Sequence, residues 1–208
     1  TNISYNIIIS NDGAGVNHPA TLRGIYAQSG TSGNANINNN TVTIKGGGTT
    51  SALEAINNGI GSTAAGNTIN VNFNSVTGCT YATATSGTFT GIMNTATAAN
   101  LNIKNNNLTS NSTNANGGTT AMIYNTALVT TSLNINNNNI SNWTFAVNTS
   151  GTFYGILHTG ATVTAVLSIS RNNFQAITHA VGGSSAHTYI HCDNPTSTSA
   201  NINKNTFT

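Results

Sequence analysis

The sequence predicts an all-β fold in which the chain coils into a stack of short parallel strands. Three observations carry the prediction: a phrase built on Asn and a branched apolar residue recurs seven times, the recurrences fall 32 to 34 residues apart, and a weaker phrase sits between them. No stretch of useful length shows helical periodicity. Alternating apolar positions bounded by Gly, Asn, Thr and Ser recur instead.

The first copy is Thr1-Asn-Ile-Ser-Tyr-Asn6-Ile-Ile8, followed by Ala35-Asn-Ile-Asn-Asn-Asn40-Thr-Val42 and Ile69-Asn-Val-Asn-Phe-Asn74-Ser-Val76. Leu101-Asn-Ile-Lys-Asn-Asn106-Asn-Leu108 and Leu133-Asn-Ile-Asn-Asn-Asn138-Asn-Ile140 come next. Leu167-Ser-Ile-Ser-Arg-Asn172-Asn-Phe174 and Ala200-Asn-Ile-Asn-Lys-Asn205-Thr-Phe207 complete the series. Each reads as a strand, a tight corner and a second strand, and Asn suits the corner because it tolerates the left-handed backbone conformation. The second phrase is Gly24-Ile25-Tyr26, Ala55-Ile56-Asn57, Gly91-Ile92-Met93, Met122-Ile123-Tyr124, Gly155-Ile156-Leu157 and Tyr189-Ile190-His191. Every period therefore holds at least three short strands. Strands this short are stable only when stacked, and laying each period on the last pairs each strand with its equivalent about 4.8 Å away.

Composition agrees with a repetitive β architecture. Only 4% of residues are charged, far below the roughly one quarter usual in soluble domains, while 37% are hydrophobic and periodically spaced. The net charge of +2 is spread too thinly to mark a nucleic-acid partner. No apolar run approaches the roughly 20 residues of a membrane span. The chain opens on Thr1 with no signal peptide, which reads as a mature segment or a fragment, and residues 1–208 read as one solenoid domain. Cys79 and Cys192 fall more than three coils apart and are expected as free thiols.

The motif Asn-Ile-x-x-Asn-x-Ile, with Gly-Ile-x between copies, resembles the parallel β-helix repeat family, the right-handed solenoids that include pectate lyases and many bacterial surface proteins. The resemblance covers essentially the whole chain. It implies a right-handed parallel β-helix of about six coils of 32 to 34 residues. It also implies that Asn6, Asn40, Asn74, Asn106, Asn138, Asn172 and Asn205 form an inward ladder, each amide bonding backbone and the next Asn. Phrases such as Asn-Asn-x-Ile and Tyr-Gly-Ile-x-Asn are similar to those of very large secreted repeat proteins of Bacteroidota-type bacteria, which implies an extracellular or cell-surface location.

Chemistry is sparse. Enzymes on this scaffold use clustered carboxylates, but the chain has only Asp12, Glu54 and Asp193. Their places in the repeat put them on different faces and levels, so each is expected as a solvated turn or edge group, and neither a catalytic pair nor a cofactor is expected. Arg171 and Lys204 share a register with Lys104 one place earlier, and read as solubilising corner residues. His187 and His191, four apart in an extended strand, stand about 13 Å from each other, which argues against one shared metal. Thr41 and Thr43, Ser75 and Thr77, Asn107 and Thr109, and Asn139 and Ser141 form a polar column of the kind that can bind ice, a minor reading because it ends in Asn173 and Gln175.

Tyr26, Met93, Tyr124, Leu157 and His191 follow the repeated Ile. If that Ile points inward they form an outer stripe suited to lateral packing or glycan stacking, although a glycine-permitted bulge leaves the direction open. No polar cap is recognisable at either end. The expected function is a secreted structural or adhesive solenoid that forms a stalk or fibre, continuing in the same chain or associating end to end, with glycans or other cell-surface proteins as further partners. The alternative is a carbohydrate-binding or carbohydrate-cleaving β-helix.

Overall fold

The structure, a computed structural model, describes residues 1–11, 20–31, 33–46, 51–81, 86–145, 150–161, 166–179, 183–184, 186–193 and 197–208. The chain forms a parallel β-solenoid in which every strand pairing is parallel and joins one coil to the next. The first sheet contains Asn2–Ser4, Asn34–Asn38, Thr68–Asn72, Ala98–Lys104, Val129–Asn136, Val166–Ser170 and Ser199–Asn203 in spatial order. The second is built from the strands after each corner, including Ile7–Asn11, Thr41–Gly46, Ser75–Thr77, Asn107–Thr109, Asn139–Phe145, Asn173–His179 and Thr206–Phe207. The third stacks Leu22–Gly30, Leu53–Ile60, Phe89–Asn94, Thr119–Asn125, Thr152–His158 and His187–Cys192.

Register follows the repeat residue for residue. Ile37 pairs with Val71, Ile103 with Ile135, and Ile135 with Ile169. Each of these side chains is buried. Alternation sends Leu101, Ile103, Leu133 and Ile135 inside, where they meet Val42, Val76, Leu108, Ile140 and Phe174 from the second sheet. Trp143 is buried in the core, with its ring centroid 4.8 Å from Phe89 and 5.7 Å from Phe145.

The corner between the first two sheets takes one residue in the left-handed region, always the residue before the ladder Asn. Tyr5, Asn39, Phe73, Asn105, Asn137, Arg171 and Lys204 all lie between φ 54 and 62. Asn occupies this seat in only three coils. The side chain there points to solvent, so identity matters little for packing, and the backbone cost of a bulky residue, about 1–2 kcal/mol, is borne by the bonds around it.

Those bonds form the ladder. Asn40 donates its backbone N–H and its Nδ2 to Asn74 Oδ1 at 3.0 and 2.9 Å, and its Nδ2 also reaches the Ile3 carbonyl at 2.9 Å. The pattern repeats from Asn6 through Asn74, Asn106, Asn138 and Asn172 to Asn205. From Asn40 to Asn172 every rung is buried. Amide paired with amide meets the hydrogen-bonding demand of a corner that water does not reach.

Two measurements test this description. Asn138→Ala leaves the Asn106 N–H and the Ile103 carbonyl without their partners, and should cost on the order of 3 kcal/mol in a denaturant titration. Asn136, which accepts from Ser170 on the partly exposed outer face, should cost about 1 kcal/mol or less on the same change. Equal losses would contradict the assignment of Asn138 to the interior. Phe73→Asn relieves a bulky residue at φ 58 with an exposed side chain, and should raise stability by about 1 kcal/mol.

Candidate functional site

The third sheet carries most of the side chains with chemical potential, and its shape decides which face they take. Strand pairing skips Gly24, Ala55, Gly91, Met122 and Gly155, the residues immediately before the repeated Ile. Both Ala55 and Ile56 are fully buried, so two consecutive residues face inward and the strand bends between them. Glycine at this bend answers a close approach: a Cβ on Gly91 would stand 2.6 Å from Leu108 Cδ2 and 2.6 Å from the Met122 carbonyl oxygen.

The bend turns the next residue outward. Tyr26, Asn57, Met93, Tyr124, Leu157 and His191 are successive register partners in one column. The five residues expected to align do so, with Asn57 completing the column. Tyr26 is exposed and Met93 and Tyr124 half-buried, whereas Leu157 is almost covered. Arg23 lies over the Tyr26 ring at 4.2 Å and donates its Nε–H to Glu54 Oε2 at 2.6 Å. Asn57 Nδ2 donates to the same oxygen at 2.8 Å.

Glu54 corrects an expectation. It is buried rather than a solvated edge group, because Arg23 is its register partner on the neighbouring coil and supplies the counter-charge a buried carboxylate requires. Asp193 is exposed and accepts from His191 Nε2 at 2.8 Å. Asp12 lies outside the described residues. Glu54 sits on the second strand of the third sheet and Asp193 beyond the last, so the two do not meet. Among the described residues no three His, Cys, Asp or Glu side chains converge as metal ligands.

A second buried polar column, unanticipated, runs inside the third sheet. Asn58 Nδ2 donates to Asn94 Oδ1 at 2.8 Å, Asn94 to Asn125 at 2.8 Å, and Asn125 to His158 Nδ1 at 3.0 Å. Each Asn also bonds a carbonyl two residues on, those of Ile60, Ala96 and Ala127. The signal was present in the repeat, where Asn stands two places after Ile56, Ile92 and Ile123, and His158 two after Ile156. Cys192 is the register partner above His158.

His158 breaks the pattern. With Nδ1 accepting from Asn125, its proton sits on Nε2, which is buried without a hydrogen-bond partner. Burial lowers the pKa of the imidazole below its usual 6.5, opposed by Asn125 and by the charge of Asp193. Both cysteines are free. Burial pushes Cys192 up to about 11, helped by Asp193, and Cys79 likewise to about 11, opposed by a backbone hydrogen bond from Ile44. Cys79 replaces a corner asparagine: its Sγ accepts from the Ile44 N–H at 3.3 Å and donates to the Val42 carbonyl at 3.6 Å.

The polar column expected on the second sheet is in register, Thr41 with Ser75, Asn107, Asn139 and Asn173. A recess of about 420 Å³ lined by Thr31, Gly33, Asn34, Ser62 and residues 64–67 contains no ionisable side chain among its lining residues. Compared with family models, curated proteins and solved structures, the chain finds no match in any of the three.

The electrostatics predict an acid-sensitive fold. His158 and His187 have folded-state pKa values below 6.5, so the native state holds fewer protons than the unfolded one. Their contribution is intact above pH 6.5 and declines as the pH falls through the lowered values. Melting temperatures between pH 7.5 and pH 5 should fall, and His158→Asn, which offers an amide to Asn125, should reduce the fall. An unchanged pH slope in that variant would contradict the account.

Proposed function

We propose that this chain is a structural or adhesive β-solenoid, secreted to the cell surface or beyond, that forms part of a stalk or fibre. The observation that carries the reading is the polarity of the Asn ladder. From rung to rung the amide-to-amide bond runs one way, Nδ2 to Oδ1 from Asn6 towards Asn205, while from Asn40 onward the other Nδ2 hydrogen returns to a carbonyl of the preceding coil. Asn205 therefore ends the ladder facing outward with donors, and Asn6 ends it with a carbonyl oxygen. These two ends are complementary to each other and not to themselves. A coil seated on either must arrive head to tail, a heterologous contact that propagates rather than closes.

The apolar rows support the same reading. Ile202 and Phe207 are about half exposed at one end, and Ile3 and Ile8 are only partly buried at the other. Bare strand edges over such rows favour further pairing. The coil that seats there is a second copy of the chain or more sequence of the same repeat. The likeness of its phrases to secreted bacterial repeat proteins, including the right-handed solenoids, supports an extracellular site.

A second reading, glycan binding, is favoured by the outer column of the third sheet, where Tyr26, Tyr124 and Met93 offer apolar faces beside Arg23. Electron microscopy and sedimentation of the purified chain separate the two. Assembly predicts particles that lengthen with concentration, and Phe207→Lys, which puts a charge on the stacking end, should hold them at unit length. Monomers at every concentration that release oligosaccharides from glycans would sink the structural reading.

A further inference from the structure

At the seam between the second and third sheets, the aromatic core ends in two imidazoles. His179 is the register partner of Phe145, and His187 that of Phe153. The two histidines meet through their Nε2 atoms. Phe145 holds both rings, stacked on His179 at 4.6 Å and 10° and tilted against His187 at 5.5 Å, while Phe153 lies 5.5 Å from His187. A phenyl ring needs no polar partner in such a position. An imidazole does, and here the two Nε2 atoms meet.

We propose that His179 and His187 form a two-coordinate site for a monovalent d10 metal ion, Cu(I). Three features choose this ion. Only two nitrogen donors converge, and among the described residues no third His, Cys, Asp or Glu joins them, whereas zinc sites built by proteins take three or four ligands. The donors are imidazoles, which suit copper, and a closed d-shell ion is content with two ligands in line. The surrounding walls are Phe145 and Phe153, which supply no oxygen ligands and no charge, so a single positive charge is easier to accommodate than two.

A neutral imidazole is the form that ligates a metal. In the metal-free state one imidazole donates its proton to the other. Metal–imidazole bonds of about 2 Å placed in line need the nitrogens about 4 Å apart. Loading therefore requires the two rings to part, with the near-parallel stack of His179 on Phe145 as the contact along which that ring would move. His187 and His191 remain unsuited to a shared ion, since they are neighbours along one strand; the pairing across the seam is what joins His187 to His179.

The test is anaerobic titration of the intact 208-residue chain with Cu(I) against a chromogenic Cu(I) chelator, with Zn(II) as comparison. One Cu(I) per chain is expected, with loss of binding in His179→Phe and in His187→Phe. Phenylalanine already occupies the register positions below, so both variants keep a ring in the core. X-ray absorption on the Cu(I)-loaded wild type should show two nitrogen neighbours, a readout that needs no variant to fold. Absence of Cu(I) binding, binding unchanged in the variants, a sulfur neighbour, or equal affinity for Zn(II) would each overturn the proposal.

Discussion

A solenoid with so few charges must satisfy its buried corners without water or ion pairs, and amide-to-amide pairing of asparagine does this. Every rung from Asn40 to Asn172 uses its Nδ2 twice, once for the next rung and once for a carbonyl of the preceding coil. Its Oδ1 receives the backbone N–H and the Nδ2 of the rung before it. An aliphatic residue in that place would fill the space and leave several buried groups unpaired, a loss larger than the apolar gain. The corner can then accept Tyr5, Phe73 or Arg171 in the left-handed seat, because the ladder beside it determines the backbone.

The third sheet applies the same solution by different local means. Its strands bend where two consecutive residues turn inward, and the bend ends at Asn58, Asn94 and Asn125, which pair along the stack as the corner asparagines do. Where the column reaches His158, the ring accepts one bond and buries a second nitrogen without a partner, so the later coils depend more on protonation than the earlier ones. The aromatic rows show the same drift, from Phe145 and Phe153 to His179 and His187. Among the described residues the histidines, His158, His179, His187 and His191, all lie in the later coils, while the Arg23–Glu54 pair sits in the earlier ones.

The directional ladder links this architecture to assembly. A row of like amides, each donating forward, has a donor end and an acceptor end for the same reason that a helix has two different ends. Stacking that respects this polarity continues the row. The outer faces are almost free of charge, so little long-range repulsion opposes such growth.

Much of this was legible in the sequence because a solenoid translates sequence period directly into spatial neighbours. The spacing of Asn6, Asn40, Asn74, Asn106, Asn138, Asn172 and Asn205 determined the register of two sheets and the inward ladder, and the position after Ile25, Ile92 and Ile123 determined that Tyr26, Met93 and Tyr124 would align. Only the tertiary structure decided the direction of that column: the bulge falls at Gly91, before the Ile, so the Ile stays inward and alternation from it puts the next residue outside, and the bulge itself depends on how closely Leu108 approaches. It also decided the burial of Glu54, which rests on Arg23 lying one coil away, and the meeting of His179 with His187, which joins two sheets. A repeat records which residues recur along the stack; contacts across a seam depend on how the sheets bend towards each other, and no period along the chain encodes that.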